Sequence, residues 1–184
     1  MFMLEQRIQQ HFFDGADLKY QTAETLARPI AEAAAAMLAA ITGGGKIMAC
    51  GSGAGTLLAQ HLARQFTGRF ERERPPLAAL ALATEPAMQG QQIRALGLPG
   101  DVLLLLDAGD GDAAAVRDAI AAAHGKEMTV VLLAGAAGAP PLGETDVKIL
   151  VPHARGVRVL ELQLLVLHCL CDAVDLQLMG EQDS

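Results

Sequence analysis

The chain has 184 residues, of which 52% are apolar and only 3% aromatic, and its formal net charge is −7. That length predicts one domain whose core is built from Leu, Ala, Val and Ile. The acidic balance argues against direct contact with nucleic acid, which needs a basic face, but not against a protein partner that handles it.

The N-terminus, "MFMLEQRIQQ", carries an early acidic residue and no long apolar core, so no secretory signal is expected. No apolar run reaches about 18 residues without charge or turn signals, so no membrane span is expected either. Residues 2 to about 41 read as helix, with Leu4, Ile8, Phe12 and Phe13 at helical spacing. Within that stretch "IAEAAAAMLAAI" (Ile30–Ile41) reads as a second, Ala-rich helix closed by Gly43, Gly44 and Gly45, with Pro29 marking a bend or first turn.

The period then changes. "KIMAC" (Lys46–Cys50) reads as a buried strand, "GSGAG" (Gly51–Gly55) as a glycine turn, and Thr56–Phe66 as a helix. Strands follow at Pro76–Ala83, Val102–Leu106, Met128–Ala134 and Asp146–Pro152, and helices at Gln89–Leu96, Asp112–His124 and Arg155–Met179. Continuous apolar strands alternating with helices predict a five-stranded parallel sheet covered on both faces, a doubly wound three-layer α/β sandwich. One domain is expected over 1–184, with a helical segment at 1–42 and the α/β core at 43–184. The odd cysteine count (Cys50, Cys169, Cys171) in apolar settings predicts reduced thiols and a cytoplasmic location. Cys169 and Cys171 fall on different faces of one helix, which argues against a metal site there.

Two loops stand where α/β proteins bind ligands. The first, Gly51-Ser52-Gly53-Ala54-Gly55-Thr56, follows a strand and opens a helix, where backbone N–H groups favour an anion. It lacks the dinucleotide spacing and the P-loop lysine, so a tight turn with Ser52 or Thr56 as cap is the plain reading. The second, in "LLLLDAGDGDAAAV", carries three carboxylates, Asp107, Asp110 and Asp112. They can themselves satisfy the helix start, as N-cap and first-turn charge. A divalent cation is the sharper alternative, though the spacing is not that of an EF-hand.

The stretch "CGSGAGTLLAQHLARQFTGRFERERPP" resembles the first half of the sugar isomerase (SIS) domain of phosphoheptose isomerases, through Gln60-His61, Gly68-Arg69-Phe70 and Glu73-Arg74-Pro75. "IRALGLPGDVLL" and "RVLELQLLVLHCLCDAVD" resemble later segments of that family, and "HCLCDAVD" looks closest to its initiator-associating (DiaA) branch. The resemblance covers nearly the whole chain. It implies a five-stranded α/β sandwich in a homotetramer, or at least a dimer, assembled through the N-terminal helices.

The departures from the family pattern weigh against catalysis. Serines of the two phosphate loops are replaced by Gly55 in the first and by Asp107, Asp110 and Asp112 in the second. One carboxylate about 4 Å from a phosphate costs roughly 4 kcal/mol at an effective dielectric near 20. The family's glutamate four residues after Gln-His is Gln65, which cannot act as a base. His168 matches the histidine of the last helix, and His61 the metal-type histidine, but Leu160 stands for a glutamine and Gln163 for a histidine. Zinc and other cofactors are therefore not expected, with His61 and His168 as weak candidates. A segment that helps cover the pocket is also missing after Ala83.

The expectation is a non-catalytic SIS protein that binds the replication initiator DnaA. The alternative is a phosphoheptose isomerase acting on sedoheptulose 7-phosphate through His61, Gln65 and His168, or a binder of another sugar derivative. The candidate ligand pocket comprises Ser52, Gly53, Gly55, Thr56, Thr84, Asp107, Asp110, Asp112 and Glu161. "GRFERERPP" reads either as a solvated helix end or as part of a subunit junction. Leu178 and Met179 read as a small partner contact or as caps of the helical core.

Overall fold

The computed structural model describes residues 1–82, 85–109, 112–135 and 139–180. The chain runs α1 (Phe2–Thr42), β1 (Ile47–Gly51), α2 (Ala54–Thr67), β2 (Ala79–Ala81), α3 (Pro86–Leu96), β3 (Val102–Asp107), α4 (Ala113–His124), β4 (Thr129–Gly135), β5 (Val147–Val151) and α5 (Gly156–Met179). All the strands pair in parallel, in the order β2-β1-β3-β4-β5. β1 and the leucine run of β3 are buried on both faces, because helices cover each side.

Alternation along the strands divides the core. Ile47, Ala49, Val102, Leu104, Leu106, Val131 and Leu133 face α1, α2 and α5. Met48, Cys50, Leu103, Leu105, Val130 and Leu132 face α3 and α4. With so few aromatics, Phe66 of α2 is the largest fully buried side chain.

The N-terminal segment differs from the sequence expectation. α1 is a single helix of 41 residues with Pro29 inside it, not two helices. A proline costs one backbone bond and crowds the preceding turn. One to two turns earlier the hydroxyls of Thr22 and Thr25 donate back to the carbonyls of Leu18 and Thr22. Beyond Pro29, Ala33, Ala34, Met37 and Ala40 are buried against the sheet. By length and composition α1 could cross a membrane, a test that core helices also pass. β2 is shorter than the sequence suggested, because Pro75 and Pro76 lack the N–H that a ladder needs.

At the amino edge of the sheet Asp101 is buried. It accepts from Lys46 N, Lys46 Nζ and Leu98 N at 2.9, 2.5 and 2.9 Å, fixing the entries to β1 and β3. The opposite, carboxyl edge is left to the loops.

Candidate functional site

The strand order reverses between β1 and β3, so the loops after these strands flank the crevice where open α/β sheets bind ligands. The first loop is glycine-rich for a packing reason. A Cβ on Gly51 or Gly55 would lie 2.7 or 2.8 Å from the Leu106 carbonyl oxygen, so only glycine lets this turn ride over β3. Gly53, at φ +51°, opens α2 with no side-chain cap. Neither expected cap forms. The Thr56 hydroxyl donates to Gly51 O at 3.1 Å, and Ser52 Oγ is buried without a partner among the described residues.

In the second loop the carboxylates turn onto their own backbone. Asp107 Oδ1 accepts from Gly109 N, and Asp112 Oδ1 accepts from Ala114 N as the N-cap of α4, each at 2.8 Å. Asp110 and Thr84 lie outside the described residues. Among the described residues no three His, Cys, Asp or Glu side chains converge on a metal position.

Beside these loops opens a cleft of about 520 Å³, lined by Ala54, Ala108, Gly109, His153, Gly156 and Leu160 among others. None of the predicted pocket residues that the structure describes lines it; Ser52 and Asp112 instead line a small separate hollow with Pro86, Gln89 and Val116. Two helix starts face it, those of α2 and α5, and neither has a side-chain cap. Their free N–H groups and dipoles favour an anion. Glu161 points elsewhere. It accepts from buried Arg158, which also meets His11 Nδ1 of α1 at 2.7 Å, and it lines a separate hollow between α1 and α5.

Two turns along the same two helices, the remaining candidates come together. His61 Nε2 and His168 Nε2 are 3.0 Å apart, and Gln65 Nε2 is 3.3 Å from His61 Nε2. His168 also stacks at a tilt between His61 and Phe70, with ring centroids 5.2 and 5.4 Å away. Both imidazoles are half-buried. Burial, then the charges of His168 and Arg64, hold His61 below the usual histidine range, so it is the neutral base form that is favoured.

Several supporting residues escaped sequence reasoning. Buried Gln163 donates from Nε2 to Asp107 O and Leu133 O, tying α5 to the ends of β3 and β4. Arg74, expected at an exposed or junctional charge run, is buried. Its Nε bonds Asp175 at 2.5 Å, while its other nitrogens cap α2 through the carbonyls of Gln65 and Phe66. Arg69 and Glu73 from the same run form an exposed pair. Leu178 is exposed and Met179 half-buried at the end of α5.

A sequence model of the SIS domain matches residues 11–135. The phosphoheptose isomerase of Methylibium petroleiphilum is 53% identical over all of this chain and 99% of its own length. That of Azoarcus is 44% identical over 96% and 98%. Among solved structures, phosphoheptose isomerase GmhA from Neisseria gonorrhoeae superposes with a TM-score of 0.84, at 34% identity over 94% of this chain and 98% of its own. The Francisella tularensis enzyme gives 0.85 at 32% identity over 95% and 99%. These matches overturn the expectation of a non-catalytic adaptor for DnaA. Full-length relatives bear the name of an isomerase, and two of the aspartates behind that expectation, Asp107 and Asp112, are occupied with local backbone bonds.

Proposed function

Because this chain belongs to the SIS domain family, we propose that it is a cytoplasmic sugar-phosphate aldose–ketose isomerase acting on sedoheptulose 7-phosphate. The observation that carries this reading is the shared alignment of cleft and histidine pair on α2 and α5. Ala54 and Leu160 line the cleft, and His61 and His168 stand seven and eight residues further along. At 1.5 Å per residue that is about 10–12 Å. An extended seven-carbon sugar phosphate spans roughly 10 Å from phosphorus to its carbonyl end, given bonds near 1.5 Å.

The phosphate end would sit at the uncapped starts of α2 and α5. The carbonyl end would reach the imidazoles, which supply the proton movements that aldose–ketose exchange requires. No cofactor is invoked. The active form would be a homotetramer, or at least a dimer, supported by the apolar residues that α1 leaves exposed, Phe2, Leu4, Ile8, Phe12 and Phe13.

The test is to incubate the purified protein with sedoheptulose 7-phosphate and follow aldose formation by NMR. Turnover that drops about 10²- to 10⁴-fold in His168→Ala is expected. Absence of product and of binding at millimolar substrate would sink the reading.

A further inference from the structure

The family resemblance implies a zinc at the positions of His61, Gln65, Leu160 and His168, and the residues present do not fit one. Leu160 has no donor atom. Gln65 has an amide in place of a carboxylate, and turns its NH₂ toward His61. Two imidazoles and one amide leave a dication without any anionic ligand or a third histidine, short of the His₃ or His₂-carboxylate sets that hold catalytic zinc. The imidazoles engage each other instead.

We propose that His61 and His168 form a metal-independent acid–base couple in which His61 Nε2 is the base, His168 Nε2–H is the acid, and Gln65 is the positioning residue. The inference rests on the isomerase reading. The roles follow from the hydrogen bonds. An amide nitrogen only donates, so the 3.3 Å contact from Gln65 makes His61 Nε2 an acceptor. The 3.0 Å contact between the imidazoles then requires His168 Nε2 to carry the proton. Base and acid therefore stand face to face, the proton of one against the lone pair of the other, and a substrate that enters between them meets both. The C-1 carbon and O-2 oxygen they must address in a 2-ketose are about 2.4 Å apart by ordinary bond geometry.

The step balances without a further reagent. His61 takes a proton from C-1, the C–H electron pair becomes the C-1=C-2 bond, and the C-2 carbonyl oxygen receives the His168 proton, giving an enediol. His168 then takes the O-1 proton as the C-1 carbonyl forms, and His61 returns its proton to C-2. Both imidazoles end as they began.

The experiment compares the wild-type protein with Gln65→Leu, Gln65→Glu and His61→Asn, each checked for native folding by circular dichroism. Isomerisation is followed after EDTA dialysis and after zinc addition, zinc binding by calorimetry and elemental analysis, and C-1 proton exchange in D₂O by NMR. For the wild type, rates within about twofold with EDTA or zinc are expected, with no stoichiometric zinc. His61→Asn should lose C-1 exchange by about 10²-fold or more. A leucine at 65 neither donates nor accepts, so it would leave the His61 tautomer unset. Gln65→Leu should therefore lose turnover by at least tenfold, whereas Gln65→Glu, which restores a carboxylate beside the imidazoles, should gain zinc affinity by at least tenfold. Wild-type turnover that requires zinc or vanishes with EDTA would overturn the inference and leave the isomerase reading intact. Gln65→Leu with unchanged turnover would overturn the positioning role. No turnover under any condition would overturn both.

Discussion

His61 is held below its ordinary pKa chiefly by burial, with His168 and Arg64 adding to the effect. A histidine with a lowered folded-state pKa binds fewer protons in the native state than in the unfolded one. Above the ordinary value of 6.5 both states are neutral and nothing is lost. As pH falls below 6.5 the unfolded chain protonates first, so stability declines until the folded form protonates as well. The urea midpoint should therefore drop between pH 7 and pH 5, and the drop should shrink in His61→Gln; an unchanged slope would place the cause at other groups. The thiols make a second residue-scale test. Burial pushes Cys50 and Cys171 up to about 12, while Cys169 is exposed. Iodoacetamide at neutral pH should label Cys169 alone, and slowly, since burial and Asp172 raise its pKa too. At Asp112, serine keeps an N-cap oxygen for Ala114 N but removes the charge. If a phosphate sits some 8 Å away, relief of about 1 kcal/mol at an effective dielectric near 40 lowers KM about fivefold in Asp112→Ser. A KM that rises would show that the carboxylate serves the ligand.

α2 and α5 carry the site, and their distal ends are joined by the Arg74–Asp175 pair, whose side chains are 1% and 2% exposed. Removing one member leaves the other charge buried and alone, so Arg74→Met should cost about 3–5 kcal/mol in denaturant unfolding. The double variant Arg74→Met, Asp175→Leu should recover much of that loss, and its failure to do so would mean that the α2 carbonyls, not Asp175, are the essential partners. This pair also marks where sequence reasoning stops. The partners lie 101 residues apart, and a charge run such as "GRFERERPP" shows no sign of which arginine turns inward. The strands were legible because apolar runs such as Leu103–Leu106 are buried on both faces, so their composition alone marks them. The capping by Asp112 was legible because it acts two residues away. The place of Glu161 was not, since it depends on which face of α5 meets α1, and α1 could not be read as one helix through Pro29. His61 and His168 were legible as candidates only through family motifs. Their 3.0 Å contact belongs to the packing of α2 on α5.

At the scale of the whole molecule, α1 sets the problem. Its second half is buried on the sheet, whereas its first half leaves Phe2, Met3, Leu4, Ile8, Phe12 and Phe13 between 48% and 83% exposed. A soluble monomer rarely presents so contiguous an apolar surface, and an isolated helical extension gains little from propensity without packing. A second copy laid along this face would bury several large side chains, each contributing about 1.5–3 kcal/mol when fully removed from water. The same stretch carries His11, which Arg158 of α5 engages, so covering α1 also steadies the helix that holds His168. Sedimentation should accordingly give a mass that is a multiple of the 19.2 kDa chain. Phe12→Glu with Phe13→Glu should shift it toward one chain and lower the thermal midpoint. Activity per chain should fall with that dissociation, and should recover at high protein concentration if association is the cause. A double variant that keeps the wild-type mass would show that the exposed face of α1 is not the seam between copies.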